Sequence, residues 1–186
     1  MRRGIYLIGA IALTIGLAAC APSGSPTESS NPSSIPTPDA SLIPVAAPAN
    51  TKAVDIAQFD VGFDEYLFKV GDGPAWCTIN AAENWSLCEM NEAAAEYQPI
   101  PTPSDCQGSY GYQIKLFAAK PADGNTAGFI CSGGYYSDPS VAQTLANGES
   151  VTVGDIVCYV SEMTARCDNK NGQYIALGPK VWAAFN

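Results

Sequence analysis

Seven cysteines, nine tyrosines and no histidine bound the chemistry open to this chain of 186 residues. Ser-His-Asp and Cys-His arrangements need an imidazole as the base, so both are excluded. Zinc sites favour close pairs such as C-x-x-C, whereas Cys77, Cys88, Cys106, Cys131, Cys158 and Cys167 are widely separated. Neither a metal nor a cofactor is expected. Asp55, Asp60, Asp64 and Glu65 form the densest acidic run, where a carboxylate-based hydrolase or a calcium site would be sought. The run has no calcium-loop spacing and reads as a solvated face or the start of a strand. No residue is assigned a catalytic role, and the chain reads as a non-enzyme. Tyrosines offer the remaining chemistry. Ser109-Tyr110-Gly111-Tyr112 and Gly133-Gly134-Tyr135-Tyr136 set rings beside glycines. An exposed tyrosine presents a flat apolar face with a polar tip, suited to sugars, peptides or partner proteins. Tyr110, Tyr112, Tyr135 and Tyr136 are therefore the candidate binding residues, against the plainer reading that alternate tyrosines pack within a sheet.

The seventh cysteine has a different setting. Residues 1–19 carry Arg2-Arg3, an uncharged run from Ile5 to Leu17 and then small residues, the pattern of an export signal. The run is too short for a permanent transmembrane helix, which needs about 20 apolar residues. Leu17-Ala18-Ala19-Cys20 resembles the bacterial lipobox, which implies that Cys20 is acylated and becomes the first residue of the mature chain. One acyl chain holds a protein only marginally, whereas two or three, palmitate among them, hold it stably. A lipoprotein on the extracytoplasmic face of the cell membrane is the expected address.

Residues 20–50 comprise this cysteine and a segment with seven Pro, seven Ser and no aromatic after it. Such a composition buries too little apolar surface to offset its ordering entropy and reads as a disordered tether. Its reach runs from roughly 30 Å as a coil to about 90 Å as polyproline II. Residues 51–186 make one domain. It has seven Lys and Arg against sixteen Asp and Glu, within a chain of net charge −9. No basic stripe is present to follow a phosphate backbone, so nucleic acid is excluded as a partner. The membrane through Cys20, and a cell-wall glycan or an envelope protein, are the expected partners.

Six cysteines in an exported domain read as disulfides. Cys77 with Cys88 and Cys158 with Cys167 have the odd separations that direct opposition across an even-length hairpin loop requires. By elimination Cys106 pairs with Cys131, although a turn at Ala122-Asp123 places Ile114 opposite Cys131. Either Gln107-Gly108-Ser109 folds back, or this bridge ties a loop to a strand.

The elements that must carry these residues are mostly strands. Tyr66–Val70, Tyr112–Phe117, Thr126–Cys131, Ile156–Val160 and Tyr174–Leu177 are aromatic or β-branched and bounded by turn formers such as Gly71-Asp72-Gly73-Pro74 and Asn169-Lys170-Asn171-Gly172. Met90–Tyr97 and Pro139–Ala146 have helical composition, the latter with Ser137 or Asp138 as cap. The expected fold is mainly β: an antiparallel, hairpin-built, disulfide-bonded domain, a small sandwich or barrel, with one or two short helices. Stretches beginning at Val70 and Val153 share V-G-D, a cysteine strand, a turn and a second cysteine followed by an acid. Duplication and convergence on one stapled hairpin both account for the match.

The run from Phe68 through Gly71-Asp72-Gly73-Pro74 to Trp76-Cys77, with Cys88-Glu89, is similar to a motif of secreted and lipid-anchored actinobacterial proteins whose shared domain has no assigned function. Gly148–Gly154, Cys158, Cys167, Asp168-Asn169, Gly172 and a closing Val181…Phe185 resemble that family's C-terminal pattern. The resemblance spans roughly Tyr66 to the C-terminus and departs at Val70-Gly71, where a proline is usual. It implies a disulfide-bonded envelope domain and brings no activity with it.

Overall fold

The computed structural model describes residues 34–47 and 50–186; the export signal, Cys20 and the first part of the expected tether lie outside the described residues. Among the described residues no helix is long and apolar enough to cross a membrane. The chain folds as two sheets whose inner faces share one core. Its strands are β1 (Lys52–Ala53), β2 (Asp60–Gly62), β3 (Glu65–Val70), β4 (Ala75–Asn80), β5 (Trp85–Met90), β6 (Gln113–Phe117) and β7 (Ala127–Phe129). They continue as β8 (Gln143–Leu145), β9 (Glu149–Val153), β10 (Ile156–Ser161), β11 (Thr164–Asn169), β12 (Tyr174–Gly178) and β13 (Val181–Phe185).

One sheet runs β2-β3-β4-β5-β6-β7, with β8 also on β3; the other runs β1-β9-β10-β11-β12-β13. Alternation along each strand sends one set of side chains inward. Phe68, Ile79, Ile114 and Leu116 of the first sheet pack with Val160, Ile175, Leu177 and Trp182 of the second. This is the mainly β, hairpin-built fold expected from the sequence, and of the two architectures left open there it is the sandwich.

The hairpin staples are present. Cys77 opposes Cys88, and Cys158 opposes Cys167, in the strand registers. Their Cα atoms are 4.1 and 4.0 Å apart. All four cysteines are fully buried, and the Sγ atoms of Cys77, Cys88 and Cys167 lie within 4.8 Å of one another, so the two staples meet across the core. Cys106–Cys131 forms the third bridge, with Cα atoms 5.5 Å apart. The β6–β7 pairing corrects the expected register by two residues: Ile114 faces Phe129, not Cys131. The loop before β6 folds back so that Ser109 bridges Ser132, and this brings Cys106 to Cys131 just beyond β7.

The expected helices are corrected too. Met90 ends β5, and only Glu92–Ala94 makes a single 3-10 turn, capped by Asn91. Prolines at 99 and 101 disfavour helical backbone in the residues before them. Pro139–Val141 is likewise one 3-10 turn, capped by Asp138; Gln143–Leu145 then pairs in parallel with β3. An open sheet edge has outweighed the helix preference of Ala, Gln and Leu.

The V-G-D match marks two halves of one topology. β3 to β7 form a meander, and β9 to β13 form another in the same order. In both, the first staple cysteine is third in its strand, the second is fourth in the next, and an isoleucine (Ile114, Ile175) faces the second. Each meander is preceded by a short strand that it gives away: β1 lies parallel on β9, and β8 lies parallel on β3. Each short strand follows a strap with an Asp-capped 3-10 turn, at Ala40–Leu42 and Pro139–Val141.

These straps explain the buried outer faces. Tyr159, Ala176, Val181 and Ala183 point away from the core yet are buried. Pro44 and Val45 border a cavity with Tyr159, Pro36 and Pro38 border one with Val181, and Arg166 Nη1 donates to the Pro44 carbonyl at 2.7 Å. Residues 34–47, expected to be tether, thus lie against the domain. Proline-rich chain loses little conformational freedom on docking, which suits it to this cover.

Candidate functional site

The other strap, 132–142, crosses the outer face of the first sheet. The cysteine register dictates what it meets: with Cys77 opposite Cys88 facing inward, Trp76 and Glu89 are opposed facing outward. Glu89 is wholly buried. Its carboxylate accepts from Trp76 Nε1 at 3.0 Å, Tyr136 N at 2.7 Å, Ser137 N at 3.2 Å and Ser137 Oγ at 3.0 Å. A buried carboxylate is tolerated only when its acceptor capacity is met, and here four donors meet it. Thr78 Oγ1 adds a bond to Ser137 Oγ at 2.9 Å. The strap is fastened to the sheet at Tyr136-Ser137.

Ahead of that fastening a cleft of about 450 Å³ opens between three loops, those after β5, before β6 and after β7. Its floor is the Ser109–Ser132 bridge, with Ser109 N donating to Ser132 O at 2.8 Å and Ser132 N to Ser109 O at 3.0 Å. A Cβ on Gly108 would collide with the Ser132 carbonyl oxygen, so glycine is required for this approach. Cys106–Cys131 clamps the same two loops, and Gln113 Nε2 donates to Gly134 O at 2.7 Å.

The four expected tyrosines part company here. Tyr112 and Tyr135 both line the cleft. Tyr112 donates to Glu92 Oε1 at 3.2 Å and stacks on Tyr97, with ring centroids 6.4 Å apart. Burial, and then the Glu92 carboxylate, raise the Tyr112 phenol above the ordinary tyrosine range. Tyr135 is 53% exposed and meets the Trp76 ring edge to face at 5.0 Å. Tyr110 turns away, half-buried against Phe129 at 5.7 Å. Tyr136, 51% exposed, leans on Trp85 at 5.2 Å and donates its hydroxyl to Glu65. Partial burial and that bond push its phenol up to about 12.

Sequence reasoning passed over Asn91, Glu92, Gln107, Ser109, Gln113 and Ser132, which supply the polar lining. Asp55 and Asp60 of the acidic run are occupied in local turns, accepting from Ala57 N at 3.0 Å and Gly62 N at 2.7 Å. Glu92 is the one charged side chain on the cleft wall among the described residues. Such a surface can stack a ring and satisfy hydroxyl and amide groups, but it offers no cation to neutralise an anion. No protein-family model matches the chain, and neither a curated protein nor a solved structure matches it.

Proposed function

We propose that this chain is a lipid-anchored extracytoplasmic protein whose β domain is a non-catalytic binding module for a neutral, hydroxyl-rich ligand, with a cell-wall glycan as the favoured class. The observation that carries this reading is the cleft itself, where two tyrosine rings stand among carboxamides, hydroxyls and glycine backbone without a single Lys or Arg. Its volume is in the ordinary range for small-molecule sites. The lipobox pattern at Leu17–Cys20 and the resemblance to lipid-anchored actinobacterial proteins support the address, with the membrane as partner through Cys20.

Titration of the purified, disulfide-intact protein with soluble neutral wall-glycan fragments is expected to give saturable binding that Tyr112→Ala and Tyr135→Ala each weaken about tenfold. Unchanged affinity in both variants, or no binding, sinks the glycan reading. For the anchor, metabolic labelling with palmitate in producing cells is expected to mark the parent chain and to lose the mark in Cys20→Ser. Equal labelling and equal membrane retention of that variant would remove the anchor.

A further inference from the structure

The hairpin joining β2 to β3 breaks a local rule. Gly62 pairs with Glu65, so Phe63 and Asp64 are its two central residues. Both have φ of 58°, the left-handed region. Two-residue turns of this hand favour Asn-Gly or Asp-Gly, and a bulky aromatic there is strained. The Asp64 carbonyl accepts from Ala81 N at 2.8 Å, but the Phe63 ring gains the fold no contact, being 96% exposed. Val61, 42% exposed, adds apolar surface next to it on β2. Asp60, Asp64 and Glu65 surround this tip in sequence with acid. The turn itself needs only a residue tolerant of this backbone, so a bulky exposed ring kept at position 63 points to use outside the fold.

We propose that Phe63 is an anchoring knob for a protein partner, one that offers an apolar pocket rimmed by Lys or Arg. Aromatic side chains that enter a pocket dominate interface energetics, while surrounding charges set orientation and encounter rate. The acidic collar opposes the other occupants. An anionic membrane surface repels it, and so does a second copy of this chain, whose net charge is −9. The knob lies on the β2–β3 hairpin, not among the residues that line the tyrosine cleft, so either reading can fail without the other.

The test places p-benzoylphenylalanine at position 63 of the full chain in producing cells, with Lys120, exposed on another loop, as the control position. Irradiation is expected to give one discrete protein adduct from position 63 and none from 120. The crosslinked protein, once identified and purified, is expected to bind the parent chain with an affinity that falls at least tenfold in Phe63→Asn. Asp64→Asn should cost about threefold and reduce the salt dependence. The purified Phe63→Asn protein is expected to melt about 2–4 °C higher than the parent, since asparagine accepts the left-handed backbone. Adducts with phospholipid or with a second copy, no adduct at all, unaltered affinity, or a lower melting temperature in Phe63→Asn each overturn the proposal. The last of these would mean that the ring supports the fold.

Discussion

Replacing Glu89 by glutamine is expected to destabilise the domain by about 3 kcal/mol, enough to lower its melting temperature by roughly 6–12 °C. The magnitude follows from geometry. Every partner of this carboxylate is a donor: Trp76 Nε1, Tyr136 N, Ser137 N and Ser137 Oγ. A carboxamide has one acceptor end and one donor end, so either orientation turns an N–H toward a backbone N–H. Turned toward Tyr136, it leaves that amide without an acceptor; turned the other way, it faces Trp76 and Ser137. A buried donor without a partner costs about 1–3 kcal/mol, and the charge-assisted character of the remaining bonds is lost as well. Calorimetry with the disulfides intact measures the effect. Because the same strap carries Gly133, Gly134 and Tyr135 to the cleft, affinity for the proposed glycan ligand should fall with it. A shift below about 2 °C would show that the strap is held by something other than Glu89.

The second large effect is expected from Cys77→Ala alone, and it is chemical as well as energetic. Loss of a staple costs about 3 kcal/mol on loop-entropy grounds. The variant also leaves the Cys88 thiol beside Cys167, whose Sγ lies within 4.8 Å. As a thiolate, Cys88 attacks Cys167 Sγ, forms Cys88–Cys167 and expels Cys158, which takes up the proton; no oxidant is consumed. Peptide mapping after prolonged incubation at alkaline pH, which favours the thiolate against the burial that opposes it, should find the crossed bridge. In Cys77→Ala/Cys88→Ala no attacking thiol remains, and Cys158–Cys167 should persist. A single variant that keeps Cys158–Cys167 with Cys88 free would refute the exchange.

How much of this was legible from residues alone follows the range of the interactions. The staple registers were readable because two cysteines at odd separation around a turn leave one pairing geometry, and the opposition of Trp76 and Glu89 was already implied in them. The third bridge was readable only by elimination, because Cys106 reaches Cys131 through the fold-back at Ser109 and a two-residue difference in the β6–β7 register. Gln143–Leu145 reads as helix in isolation and becomes a strand only against β3, a partner some seventy residues earlier. The β2–β3 hairpin gave no sign, since Phe63-Asp64 lacks the residues that its turn prefers. Within the cleft, Tyr112 and Tyr135 were visible as an aromatic and glycine pattern. Glu92, Gln107 and Gln113 carry no local mark, and only the meeting of three distant loops gives them a common purpose.

The exchanged edge strands also determine how damage spreads. Lys52 on the leading strand of the first half pairs with Glu149 of the second, and their charged groups meet at 2.8 Å. Leu145, just ahead of the second half, holds Gly71 of the first by a main-chain bond of 2.9 Å. Each half is therefore a hostage of the other. A lesion at one border weakens the opposite sheet, no cut through the middle of the chain releases a self-sufficient piece, and the first sheet stays incomplete during synthesis until β8, at Gln143–Leu145, has been made.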